Sequence, residues 1–132
     1  MSSTPKSSDS IGVVNDSSAV LEFWKSFDFD KKRDVLDKQC VEMREAKTNS
    51  INGRKRLNAI TVALRSKSPE EQAIMVTEVL KAYQEEIDQL SRRSKFSESA
   101  FYSLYKSIYE APDPAEVIET LLNINNNRKL YI

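Results

Sequence analysis

Cys40 is the one thiol among 132 residues, and the chain contains no histidine. A lone cysteine cannot close an internal disulfide and suits a reducing compartment. Without histidine, Cys40 has no evident base to make it a nucleophile, and the commonest metal ligand is missing too. The remaining groups that could do chemistry are the acidic pairs Glu70-Glu71 and Glu85-Glu86 and the basic run Arg54-Lys55-Arg56. Paired carboxylates can share acid–base work, but only around a concave site that holds a substrate between them. Both pairs fall inside charge-dense helical patterns, where acids ordinarily solvate a helix. The basic run reads the same way, as a solvated face rather than a phosphate site. There is no Gly-rich phosphate loop. The chain therefore offers no catalytic, cofactor-binding or metal-ligating residues, and it is read as a protein without enzymatic activity or cofactor.

Composition points the same way. Charged residues make up 30% and glycines number only 2, a helix-rich and water-facing balance suited to one domain. Twenty basic residues offset 20 acidic ones, so no general attraction draws the chain to nucleic acid, and none is expected as a partner. No apolar run approaches the roughly 18 residues of a membrane span, and the first ten residues lack a signal peptide's apolar core. Any membrane association is then indirect or weak.

The elements that position these residues are helices. From Val76, apolar residues recur at Leu80, Tyr83, Ile87 and Leu90, pass through Ser94 and Ser97, and resume at Phe101, Leu104 and Ile108. Steps of four and three keep one seam of a helix toward a partner helix. Glu78, Lys81, Glu85, Glu86, Gln89, Arg92 and Arg93 lie between them and are expected in water. Ser68, Pro69 and Glu71 form a capping box with a first-turn proline, and Pro112 and Pro114 end the run. The expected helix holds about 40 residues, or roughly 60 Å at 1.5 Å per residue.

A second long helix is expected from Asp30 to Arg65, with Phe29, Leu36, Met43, Ser50, Leu57 and Leu64 every seven residues. The helix is expected to be continuous but soft, with Asn52-Gly53 the place where a kink or break would fall, since an interior glycine costs about 1 kcal/mol relative to alanine. Ser66-Lys67-Ser68 is a short connection, so the two helices fold back as an antiparallel, coiled-coil-like hairpin. Folding about residue 67 sets Leu57 opposite Val76–Leu80, Met43 opposite Leu90, and Phe29 near Tyr105. Phe23, Trp24, Phe27 and Phe29 then come beside Phe96, Phe101, Tyr102, Tyr105 and Tyr109, nine of the 11 aromatic residues at one end of the hairpin. Asp113, Pro114 and Glu116 start a short third helix that ends in the Asn-rich stretch 123–127. The chain is thus read as all-α. It comprises a Ser-rich disordered tail (1–17), a helical interaction domain (18–124) and an Asn-rich C-terminal tail (125–132).

Large aromatics dominate interfaces when buried, so Phe23, Trp24, Phe27, Phe101, Tyr105 and Tyr109 are the expected protein-contact residues, with self-association as a dimer. They serve equally well as internal core. A reading of another class makes residues 19–29 an amphipathic helix on a lipid surface. Glu22, Asp28 and Asp30 around that patch favour packing instead.

A resemblance adds to this. Phe23-Trp24-Lys25-Ser26-Phe27-Asp28, the run Leu80–Lys95, Ala100–Lys106 and Pro112-Asp113-Pro114 resemble, in order, the amino-terminal region of the CASP family. These are Golgi coiled-coil proteins that share their N-terminus with the CCAAT-displacement (Cut-like homeobox) proteins. Ser68-Pro69-Glu70-Glu71 is similar to the family's entry into this segment, and the likeness covers about residues 20–118. It implies the head of a golgin-type tether in intra-Golgi vesicle transport, at the cytoplasmic face of the Golgi. The implied partners are Golgi tethers or SNARE machinery. Family members continue into a long parallel coiled coil and a C-terminal membrane anchor. This chain departs from them after about Glu119, and with no anchor of its own is otherwise expected to be soluble in the cytoplasm. A truncated isoform, a short paralogue and an incomplete gene model all fit that departure. The resemblance brings no catalytic residues and no DNA-binding module.

Overall fold

The computed structural model describes residues 10–130. Four helices follow one another: α1 (Ser10–Phe27), α2 (Phe29–Arg65), α3 (Pro69–Tyr109) and α4 (Ala115–Leu130). No strand occurs among the described residues, and the chain is all-α. The boundaries expected for the two long helices hold because their signals are local. Ser68 Oγ accepts the Glu71 N–H at 3.3 Å, and the Ser68 carbonyl accepts the Gln72 N–H at 2.8 Å. Asp113 Oδ1 caps α4 by accepting the Ala115 N–H at 2.9 Å.

Two boundaries differ. Helix α1 begins at Ser10, inside the stretch read as a tail, while residues 1–9 lie outside the described residues. The serines there are interrupted by Ile11, Val13 and Val14, and serine lowers helix propensity only modestly. Helix α4 runs through Asn125-Asn126-Asn127 to Leu130, beyond the expected end, since asparagine is likewise tolerated near a helix terminus. Helix α2 is continuous through Asn52-Gly53, as expected. The sharp break comes at Asp28, whose φ of 53° lies in the left-handed region that Asp tolerates better than most residues. Its carboxylate accepts the Lys31 N–H at 3.3 Å and its carbonyl the Lys32 N–H at 3.0 Å. One residue thus ends α1 and starts α2.

The described residues divide into two compact units, one formed by those up to Lys32 and from Lys106 onward, the other by Arg33–Tyr105. In the second unit, α2 and α3 pack as the antiparallel hairpin. Gln72 Nε2 donates to the Leu64 carbonyl at 3.0 Å near the turn, the Thr61 and Tyr83 hydroxyls hydrogen-bond across it, and Glu86 lies against Gly53 further along.

The register differs from a symmetric fold about residue 67. Gly53 meets Glu86, where that fold pairs it with residue 81. Met43 shares a groove with Ala100, Phe101 and Leu104 instead of facing Leu90. Side chains on a helix lean toward its N-terminus, which in an antiparallel pair shifts each contact partner about two residues onward along α3. The rest is an axial offset of the two helices.

Candidate protein-interaction surfaces

Helix α2 turns Gln39, Met43, Ala46, Ser50, Gly53, Leu57, Ile60 and Leu64 inward, at steps of four and three. The heptad series read from Met43 to Leu64 is therefore the seam of the hairpin. On α3 the inward stripe is Met75, Val79, Ala82, Glu86, Arg93, Phe96 and Ala100. This corrects the expectation that Val76, Leu80, Tyr83, Ile87 and Leu90 face α2. The two stripes lie one residue apart along the chain and follow the same steps. The more apolar one is outside: Leu80 is 63% exposed, Ile87 57% and Leu90 46%.

Glu86 is a second correction, since it was expected in water and is buried at 6% exposure. Gly53 makes the room: a Cβ there would collide with the Glu86 carboxylate. Glu86 Oε1 has no hydrogen-bond partner. A buried polar atom left so costs roughly 1–3 kcal/mol. The apolar content of this seam is modest; Val79 and Ala100 are its buried hydrophobic residues. A signal for the inner stripe was present in α2, where Ala46, Ser50 and Gly53 leave space for side chains such as Glu86 and Phe96. Reading α3 alone for its most apolar stripe passed over it.

Phe23, Trp24 and Phe27 lie in the other unit, half-buried, where they pack on one another and on Phe29. Trp24 stands edge-on to Phe23 with centroids 5.0 Å apart and stacks on Phe29 at 5.4 Å. Its indole Nε1–H donates to the Pro112 carbonyl at 3.1 Å, in the turn before α4, and α1 contacts α4. Lys32 Nζ sits 5.3 Å from the Phe27 ring centroid. These three side chains thus pack on one another within their unit. Tyr109 belongs to the same unit and is 71% exposed. In the hairpin unit, Phe101 is 70% exposed, and Tyr105 stacks on Tyr102 with centroids 6.2 Å apart.

Two shallow grooves follow the hairpin. One is apolar and lined by Leu36, Cys40, Met43, Ala100, Phe101 and Leu104, with Cys40 exposed at its rim. The other is mixed and carries Asn49, Ser50, Gln89, Arg92 and Arg93 beside Glu42, Ala46 and Phe96. Arg54, Lys55 and Arg56 are all exposed. Among the described residues no cluster of three or more potential metal ligands occurs, and no helix is long and apolar enough to cross a membrane.

A family model described as "CUX1-like, N-terminal tRNA-binding arm" matches residues 13–126. Protein CASP of Arabidopsis thaliana is 39% identical over 111 residues, covering 84% of this chain and 16% of the relative. Protein CASP of Saccharomyces cerevisiae is 36% identical over 105 residues, covering 80% of this chain and 16% of the relative. The human Homeobox protein cut-like 2 is 33% identical over 108 residues, covering 82% of this chain and 7% of the relative. The chain thus spans a small fraction of the length of the relatives it matches, and none of these three is named for an enzymatic activity. The family description names a tRNA-binding arm, which withdraws support from the expectation that nucleic acid is no partner. No solved structure matches the chain.

Proposed function

This chain belongs to the family of CUX1-like N-terminal regions found in CASP and cut-like homeobox proteins, and from that premise we propose that it is a non-catalytic contact module of a golgin-type tether in intra-Golgi vesicle transport. The observation that carries the reading is the α3 stripe of Val76, Leu80, Tyr83, Ile87 and Leu90, apolar and turned to solvent over five successive seam positions. A soluble helix seldom leaves so long a stripe uncovered unless another protein covers it. Phe101 and Tyr109, each largely exposed, are the further contact residues in their respective units. Phe23, Trp24 and Phe27 support their unit from within. The partners are Golgi tethers or SNARE machinery, met at the cytoplasmic face of the Golgi. Proximity labelling with the intact chain in its own cell tests this. Enrichment of Golgi tethers is expected, with loss in a Leu80→Glu, Ile87→Glu variant; a label spread over unrelated cytoplasmic proteins ends the reading.

A second reading takes its support from the family model's description, which names a tRNA-binding arm. The groove with Arg92 and Arg93 is the place where backbone phosphates would be met. Net charge of zero supplies no general attraction, so binding would have to be local. Gel retardation of tRNA at low salt, with Arg92→Ala and Arg93→Ala lowering both affinity and salt slope, would favour this reading; no retardation removes it. The lipid-surface alternative through residues 19–29 loses its main support. Its rings are half-buried against each other, and Trp24 Nε1–H is already bonded to the Pro112 carbonyl.

A further inference from the structure

We propose that the outer flank of α2 between Arg44 and Arg65 is a docking surface for an anionic membrane. This goes beyond the protein contact proposed above and does not depend on it.

Zero net charge conceals an uneven distribution. From Ala46 to Ser68 the chain holds six basic residues and no acidic one. Arg44, Lys47, Arg54, Lys55 and Arg65 share one side of α2, within an arc of about 100° when each residue advances by about 100°. The midline of that arc lies about 120° round the helix from the residues that face α3, so the hairpin leaves it open. All five side chains are exposed, and none of them forms an ion pair among the described residues. Ile51 and Val62 fall inside the same arc and are 46% and 58% exposed. The neighbouring acids Glu42 and Glu45 fall outside it. Thr61 stands at its edge, where its hydroxyl bonds to that of Tyr83. The apolar stripe of α3 therefore borders the basic one on the same side of the hairpin.

Charge and shape decide the occupant. Cations interleaved with aliphatic side chains suit a helix lying in a lipid headgroup layer, where the cations meet phosphates and the aliphatics reach the acyl boundary. The five cations are spread along about 30 Å of helix. A flat lipid surface meets all of them at once, whereas the phosphates of a nucleic-acid duplex curve away from a straight rod. The arc also carries no aromatic ring on which unpaired bases could stack. Near an anionic leaflet each Lys or Arg strengthens binding by roughly fivefold. Five of them, acting over a distance that salt screens, give reversible and salt-sensitive attachment. This surface is separate from residues 19–29, whose rings pack on one another.

The test is co-flotation of the full chain with vesicles of phosphatidylcholine, alone or with about 30% phosphatidylserine to supply negative surface charge. The chain is expected to float with the anionic vesicles only. It should be released at about 1 M salt, where the Debye length falls to about 3 Å. Lys47→Gln with Arg54→Gln should weaken binding by roughly twentyfold. Helical circular dichroism should be unchanged, since both positions are exposed. Arg92→Gln with Arg93→Gln removes the same charge outside the arc and should leave binding within about twofold. Flotation with neutral vesicles, no flotation at all, or equal loss in the two double variants overturns the inference. Retardation of tRNA that the Lys47 and Arg54 changes abolish, without vesicle binding, gives the face to nucleic acid and overturns it too. A chain that stays off vesicles yet labels Golgi tethers removes the membrane surface and leaves the contact-module reading intact.

Discussion

The carboxylate of Glu86 rests on the α-carbon face of Gly53, across the seam between α2 and α3. Each residue explains the other. A glycine interior to a 37-residue helix forfeits about 1 kcal/mol of helix propensity, and it opens the space that Glu86 fills. Glu86 meanwhile keeps an oxygen buried with no partner. The seam is held by helix geometry and small residues more than by apolar bulk.

Gly53→Ala is expected to stabilise the hairpin by up to about 1 kcal/mol, the propensity difference between the two residues. The added Cβ meets only the flexible end of Glu86, which can swing out and regain water. Urea unfolding followed by circular dichroism measures the change. A loss of more than 1 kcal/mol would mean that Glu86 has nowhere to go.

Glu86→Leu should also stabilise, by about 1–3 kcal/mol, because it replaces an unpartnered buried carboxylate with an apolar side chain of similar volume. Combined with Gly53→Ala the gain should be less than additive, since leucine cannot move to water at no cost. A destabilised Glu86→Leu protein would reveal an interaction of the carboxylate that the geometry does not contain.

At the corner between α1 and α2, Asp28→Val should cost about 1–3 kcal/mol. It places a β-branched residue at a φ of 53° and removes the acceptor for the Lys31 N–H. Asp28→Asn should be close to neutral, as asparagine tolerates the same backbone and keeps an acceptor. Equal thermal stability of the valine variant and the parent chain would count against the corner.

Trp24→Phe retains a ring in the α1 cluster but removes the N–H that reaches the Pro112 carbonyl. A loss of about 0.5–1.5 kcal/mol is expected. It should appear as faster amide exchange in the first turns of α4, next to Pro112. Unchanged exchange there would show that the turn is held without Trp24.

The sequence by itself determined the helices. Ser68-Pro69, Asp113-Pro114 and Pro112 act within one turn of themselves, so the ends of α2 and α3 and the start of α4 could be read from neighbouring residues. Asp28 was harder, because its corner relies on a left-handed backbone that few sequence patterns announce. The face that α3 presents to α2 could not be read locally at all. Stripes at 75, 79, 82 and 86 and at 76, 80, 83 and 87 obey one spacing, and apolar content favoured the second. Only the tertiary structure decided for the first. Close packing of two long helices selects side chains that fit the gaps opposite, and Gly53, Ser50 and Ala46 accept the smaller, more polar stripe. The same choice turned Leu80, Ile87 and Leu90 outward. The contact surface proposed for this chain therefore lies on the outer side of α3, which the sequence pattern had assigned to the hairpin seam.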